Sequence, residues 1–351
     1  MAIFVLTRLS KRRPTMATTG LTSADELMLQ GLYWWDIATF FRCPVERDPR
    51  NCDIALVGVP HSTGNGTTER DQHLGPRAVR DVSAMARRVH MEFGIDPWER
   101  ARIRDLGDVP LPEANDNEAC IERITEFYRA IDAAGVRPVS VGGDHSVTGG
   151  IMEAIAGEGA RLTGGRKAVF LHFDAHTDAY EQIPHFLGAV KSAAHWAAYL
   201  VRDGYVDAGR RVQIGMRGNP RTLDWRKPSE ELGYEVISMD RYRAIGPDET
   251  MAIIDERIGD APLYITFDLD CLDPTVAPAV ANLEAGCEGF RVDEVMRLLR
   301  CVRGKNVIGG DVVCLMPTKD HPNRITAHTT AAIMFEIVSL VADGFSGTKH
   351  P

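Results

Sequence analysis

Lys167–Tyr180 reads KAVFLHFDAHTDAY, and its first half decides the fold class. Ala168, Val169, Phe170 and Leu171 form an apolar run of the kind found in strands buried on both faces, which belong to parallel sheets. The second half discharges Asp174, His176 and Asp178 at the strand's carboxyl end. Side chains alternate along a strand with period two, so residues i, i+2 and i+4 leave on one face. A carboxylate, an imidazole and a second carboxylate therefore gather on one side. An ordinary polar loop is the competing reading, and two further stretches weigh against it.

Working outward, strand-like segments recur at Asp53–Val59, Ala101–Leu106, Arg137–Val141, Arg211–Ile214, Glu235–Ser238, Leu263–Phe267 and Val307–Val313. Helical patterns separate them. Pro76 suits the first turn of a helix running to Phe93, Glu118–Ala134 carries Ile121, Ile124, Phe127 and Ile131 on one face, and Ala327–Val341 is broadly apolar. Alternating β and α predicts one parallel sheet covered by helices on both sides. No linker, repeat or low-complexity tract interrupts it. The expectation is a single catalytic domain over 31–351 behind a flexible tail, 1–30. That tail's MAIFVLTRLSKRRPTM lacks an apolar core and cleavage site, and Met16 follows it closely. Leu32–Phe41, LYWWDIATFF, is expected to pack against the core.

Hydrophobic residues make up 44% and charged residues 25% of the 351, ordinary for a globular enzyme. A net charge of −9 without a basic block argues against nucleic acid, and no apolar run approaches a membrane span of ~20 residues. Seven cysteines, an odd number without CxxC spacing, point to a reducing cytoplasm rather than a disulfide framework.

In such sheets ligands bind beyond the carboxyl ends of strands. Ser140–Ser146, SVGGDHS, places His145 after one strand, and Thr266–Pro274, TFDLDCLDP, places Asp268 and Asp270 after another. With Asp174, His176 and Asp178 these give four carboxylates and two imidazoles at three strand ends. Four converging carboxylates repel one another, and two divalent cations cancel their charge. Six ligands serve two cations only by sharing. Carboxylate with imidazole favours Mn²⁺, Ni²⁺, Fe²⁺ or Co²⁺ over Ca²⁺ or a thiolate-rich zinc site.

GGDHS, DAHTD and DLDCLDP, in this order, resemble the ureohydrolase family of arginases, agmatinases and guanidinobutyrases, over Asp53 to about Gly344. QIGMRG (Gln213–Gly218) and the tail DVVCLMPTKDHPNRITAHTTAA belong to the same likeness. The resemblance implies a three-layer α/β/α fold with a largely parallel eight-stranded sheet, in trimers or trimer-based hexamers, homomeric or with a homologous second subunit. It implies two divalent ions, Ni²⁺ or Mn²⁺, and attack of a metal-bridging hydroxide on a guanidine carbon. By motif, one ion would take His145, Asp174, Asp178 and Asp268, the other Asp174, His176, Asp268 and Asp270, with Asp270 also catalytic. His195 in SAAHW matches the family's proton-shuttle histidine, with His185 a competitor.

Three departures bear on substrate. The family's D-V-V-E tail, whose Glu binds the guanidinium, ends here in Cys314. The loop Ala277–Cys287, APAVANLEAGC, is reshaped but keeps an acid at Glu284, with Asn282 beside it as a second substrate-binding candidate. Pro60–Gly75 is longer than usual, and its Glu69, Arg70, Asp71 and His73 are candidates for the pocket wall. These changes favour a small or substituted guanidine. The sharpest expectation is similarity to metformin hydrolases, which yield guanylurea and dimethylamine. Guanidine, dimethylguanidine, agmatine or guanidinobutyrate hydrolysis are alternatives. A non-catalytic partner subunit and a Cys314 or Cys271 thiolate nucleophile are readings of other classes.

Overall fold

The computed structural model describes residues 36–345, apart from 68, 182, 184, 186, 187 and 208. The expected tail and Leu32–Trp35 lie outside the described residues. From Thr39 onward the chain forms one compact unit.

Eight strands form one sheet: β1 (Ile54–Gly58), β2 (Ile103–Asp108), β3 (Arg137–Val141), β4 (Val169–Phe173), β5 (Arg211–Met216), β6 (Tyr234–Ser238), β7 (Leu263–Asp268) and β8 (Val307–Val313). Every pairing is parallel, in the order β2-β1-β3-β8-β7-β4-β5-β6. All eight expected strands are present, and the three-layer expectation holds. The principal helices are α1 (Gly75–Ser83), α2 (Asn117–Ala134), α3 (Ser146–Ile155), α4 (Trp196–Arg202), α5 (Met239–Ile258), α6 (Val292–Arg300) and α7 (Ile325–Asp343). One apolar cluster joins α1, α5, α6 and α7 to one face of the sheet; a second joins α2, α3 and α4 to the other. Local signals delimit α2: the Asp116 side chain accepts from Ala119 N–H at 3.1 Å, and Gly135 ends the helix at φ 74°.

Two expectations change. The helix begun near Pro76 stops at Ser83 rather than Phe93. Beyond it the chain turns so that His90 stacks on Phe93 at 3.9 Å and meets the buried Glu336 at 3.0 Å, a contact across the fold that local pattern does not encode. Helix α7 is long and apolar enough by composition to cross a membrane, yet most of it is buried against the sheet. It is a core layer, and Gly309 and Gly310 of β8 let the chains approach. A Cβ on Gly310 would sit 2.6 Å from the Ile265 carbonyl oxygen and 2.9 Å from Ile337 Cγ2. Gly310→Ala is therefore expected to destabilise the fold by about 1–3 kcal/mol through overpacking, read as a lowered urea midpoint with an unchanged slope.

Candidate metal centre

Strand order turns back on itself between β3 and β4, with β8 and β7 between them, and the polar strand ends meet there. Gly143 makes the turn after β3 possible, since a Cβ there would lie 1.6 Å from the His61 carbonyl oxygen. His145 follows, fully buried at the start of α3. Its Nδ1 lies 2.9 Å from Asp174 Oδ2, 3.1 Å from Asp178 Oδ2 and 3.2 Å from Asp268 Oδ2. Nevertheless Nδ1 makes no hydrogen bond in acceptable geometry. Donor atoms of His145, His172, Asp174 and Asp178 all lie within 4.8 Å of one another, with Asp268 approaching His145 alongside them. Ligands at about 2.1 Å from a cation, set at right angles, stand about 3.0 Å apart, so the spacing and the donor set both fit a bound divalent ion.

Asp174 also belongs to a second group. His176 Nδ1 lies 3.3 Å from Asp174 Oδ1 and 3.1 Å from Asp270 Oδ2. Asp268, expected to be shared likewise, uses Oδ1 to accept the Asp270 N–H at 2.9 Å. All six residues named from the motifs are thus brought together. Burial opposes protonation of His145 and His176, but the surrounding carboxylates outweigh it and hold both well above the ordinary histidine range. Burial and the neighbouring carboxylates push Asp178 and Asp270 up. Burial works against the charged form of Asp174 too, yet its three histidine neighbours carry it well below the usual range. These opposed shifts within one cluster are the mark of unbalanced charge.

Neighbours that motif reading did not single out hold these carboxylates and imidazoles. Trp196, fully buried in α4, donates its indole N–H to Asp178 Oδ2 at 3.0 Å and packs 4.7 Å from the His145 ring. His172, two residues before Asp174 on the same strand face, lies 2.9 Å from Asp174 Oδ2. Its signal was present as an imidazole inside an apolar run, where a histidine needs a partner.

A cavity of about 1210 Å³ opens onto His176 and Asp178, with Asn282, Glu284 and Cys287 in its wall. Glu284 Oε1 is 3.3 Å from His176 Nε2. Gly218 leaves room for that carboxylate, because a Cβ there would meet Glu284 Oε2 at 1.9 Å. Arg217 fixes the loop from beneath: Nη1 donates to the Glu284 and Cys287 carbonyls at 2.7 and 3.2 Å, and Nη2 to those of Asp270 and Leu272 at 2.8 and 3.0 Å.

Other candidates fall elsewhere. Cys314, expected to touch substrate, is buried and is not in the cavity wall, and burial and nearby aspartates push its thiol well up. Its left-handed backbone (φ 71°) and the bond from its N–H to the Gly143 carbonyl at 2.7 Å turn it under the cluster. His195 caps α4 with Nδ1 2.7 Å from Ser192 Oγ; its predecessors Ala193 and Ala194 line the cavity. His185 meets the Gly64 carbonyl at 3.1 Å. From Pro60–Gly75, Asn65, Gly66 and Thr67 reach the wall, whereas Glu69 pairs with Lys319 and Asp71 accepts from Thr318 N–H at 2.8 Å.

Residues 52–339 match the family model described as Arginase family. The chain belongs to the arginase family. It is therefore a hydrolase of amidino C–N bonds, as the motif resemblance implied. It is 35% identical over 311 residues to the guanidinopropionase of Pseudomonas aeruginosa, covering 88% of this chain and 92% of that protein. It is 33% identical to the mitochondrial guanidino acid hydrolase of Homo sapiens, covering 86% and 82%. Its fold resembles proclavaminate amidino hydrolase from Streptomyces clavuligerus, with a TM-score of 0.79, 28% identity, and coverage of 89% and 99%.

If Asp174 serves both groups, Asp174→Asn should reduce bound metal from two ions per chain to one or none, measured by elemental analysis after gel filtration. Acidification should also release metal, because protons compete for the same carboxylate and imidazole atoms. Content should fall as pH drops from 7.5 to 5. Arg217→Met should loosen the Glu284 loop, raising KM several-fold while metal content is retained.

Proposed function

We propose that this arginase-family chain holds two divalent ions, Ni²⁺ or Mn²⁺, and hydrolyses a small substituted guanidine, with the biguanide metformin the first candidate. The convergence of His145 Nδ1 with three carboxylate oxygens inside 3.2 Å carries the cation part of this reading. His145, Asp174, Asp178 and Asp268 would hold one ion; Asp174, His176 and Asp270, with Asp268 as a shared ligand, would hold the other. When bound, the pair supplies Lewis acidity and a water acidic enough to ionise near pH 7.

The chain's own groups do the rest. Asp270 Oδ2, 3.1 Å from His176 Nδ1, would orient the attacking water through its proton. Glu284 accepts from the substrate's N–H groups, and Asn282 supports it from the same wall. His195 relays a proton to the leaving nitrogen; burial lowers its pKa, so the ring is neutral at pH 7 and free to accept before it donates. His185 is the competitor for that role.

Substrate choice follows from what stands near the ions. By the family resemblance Cys314 stands where a carboxylate would clamp an alkylguanidinium; buried and outside the cavity wall, it offers that cation no charge, and charge-assisted bonds of that kind contribute roughly 1.5–3 kcal/mol each. Glu284, beside His176, is an acid of the wall next to the cluster, which suits a compact, delocalised cation. A second reading, a guanidino acid, is favoured by Arg221 and Arg226 at the cavity wall and by the names of the relatives. Agmatine, guanidine and dimethylguanidine complete the panel. The Cys314 and Cys271 thiols are pushed well up by burial and nearby aspartates, which opposes a thiolate nucleophile. The assembled ligand set likewise speaks against a purely non-catalytic subunit. Seven free cysteines fit a cytoplasmic location, and a trimer-based hexamer, alone or with a homologous partner, remains the proposed assembly.

The test is amine, urea and guanylurea release from metformin, dimethylguanidine, guanidine, agmatine, guanidinobutyrate and guanidinopropionate, with Ni²⁺ and Mn²⁺ forms in parallel. Metformin or dimethylguanidine turnover is expected, and Cys314→Glu should shift preference at least tenfold toward alkylguanidines. Turnover of guanidino acids alone would overturn the metformin assignment.

A further inference from the structure

One level below the carboxylates, five buried polar side chains cross five neighbouring strands. The parallel register pairs Ser140 with Asp311, Asp311 with Thr266, Thr266 with His172, and His172 with Gln213. All five are fully buried. Asp174 and Asp268 follow His172 and Thr266 by two residues, on the same face. A charged group in the middle of a parallel sheet is expensive unless it is hydrogen-bonded. Asp311 is well supplied: Thr266 Oγ1 donates to Oδ1 at 2.7 Å, and Thr148 Oγ1 and Tyr264 OH donate to Oδ2 at 2.9 Å each.

The direction of these bonds decides two ring tautomers. Asp311 is surrounded by three hydroxyl donors and accepts from each, so the Thr266 hydroxyl spends its proton on it. Thr266 Oγ1 is then an acceptor toward His145 Nε2, 2.9 Å away, and Nε2 carries the proton. Nδ1, on the side of the three carboxylates, is thereby the nitrogen left to give its lone pair to a cation. At the other end of the row, the Gln213 amide nitrogen donates to the Thr177 carbonyl at 2.6 Å, which fixes its orientation. The same nitrogen stands 3.2 Å from His172 Nδ1. That Nδ1 accepts, so Nε2–H donates to Asp174 Oδ2.

We infer that the Asp311–Thr266 pair is a positioning relay that commits His145 to the tautomer able to bind a divalent ion, with Gln213–His172 acting in the same way on Asp174. This rests on the proposed cation site. Partners of metal-bound histidines typically contribute 10–100-fold in affinity.

The experiment is Co²⁺ titration of the full chain, followed by its visible bands, for wild type, Asp311→Asn, Thr266→Val and Thr266→Ser. The wild type is expected to take up two ions. Asp311→Asn and Thr266→Val should weaken one of them 10–100-fold, and Thr266→Ser, which keeps the hydroxyl, should restore it. The solvent-exchangeable, hyperfine-shifted imidazole N–H signal of cobalt-bound His145 should broaden by faster exchange in the first two variants only. Unchanged affinity and exchange in both variants, or a Thr266→Ser chain as weak as Thr266→Val, would overturn the relay. A wild-type chain that takes up no Co²⁺ would overturn the cation site itself.

Discussion

Everything at the strand ends depends on keeping like charges together. Asp174, Asp178, Asp268 and Asp270 are all buried, and their oxygens crowd the same two imidazoles. At an effective dielectric constant of about 20, two unit charges 4 Å apart interact by about 4 kcal/mol, so four carboxylates would separate if the backbone let them. The fold resists through donors at fixed positions. Trp196 holds Asp178, backbone N–H groups of His176 and Asp270 hold Asp174 and Asp268, and the Ala175 N–H holds Asp270 at 3.1 Å. Such an arrangement fixes the direction of each carboxylate, and its crowded negative charge is balanced by divalent cations.

The sheet supplies that constraint. Asp174 and Asp268 end adjacent parallel strands, β4 and β7, whose register is unbroken from Val169–Leu263 to Phe173–Phe267. A one-residue slip would send either aspartate to the opposite face. Apolar layers on both sides resist such a slip, and the polar row beneath the cluster adds a directional constraint that apolar packing lacks. The cavity wall is built differently. It comes from loops, and its acidic group reaches His176 only because Arg217 gathers the carbonyls of the Ala277–Cys287 loop and Gly218 leaves room. The Asp and His cluster is thereby anchored in the sheet while the acidic wall sits on a separately tethered loop, so the loop's sequence can change without disturbing the cluster.

Much of this was legible from the chain alone. Eight apolar runs separated by helical patterns specify a covered parallel sheet, because strand periodicity and burial are local properties of sequence. The gathering of the six Asp and His residues was legible for the same reason: residues two apart at a strand end share a face wherever that strand lies. The early end of α1 was not legible. His90 turns back to meet Glu336, 246 positions away, and no window of neighbouring residues contains that contact.

Tertiary structure alone decided which strands lie side by side, and from that everything lateral follows. Asp311 appeared in sequence as part of a DVVC tail; only its place between β3 and β7 sets it against Thr266, and through Thr266 against His145. Cys314 read as a substrate contact, but its left-handed turn and the Gly143 carbonyl carry it beneath the cluster. Arg217 read as one charge in a family motif, and the fold makes it the tether of a loop some 65 residues away. Sequence determined what each strand end offers, since alternation is a property of one strand. The structure decided what each group faces, since a hydrogen-bond partner is a property of two.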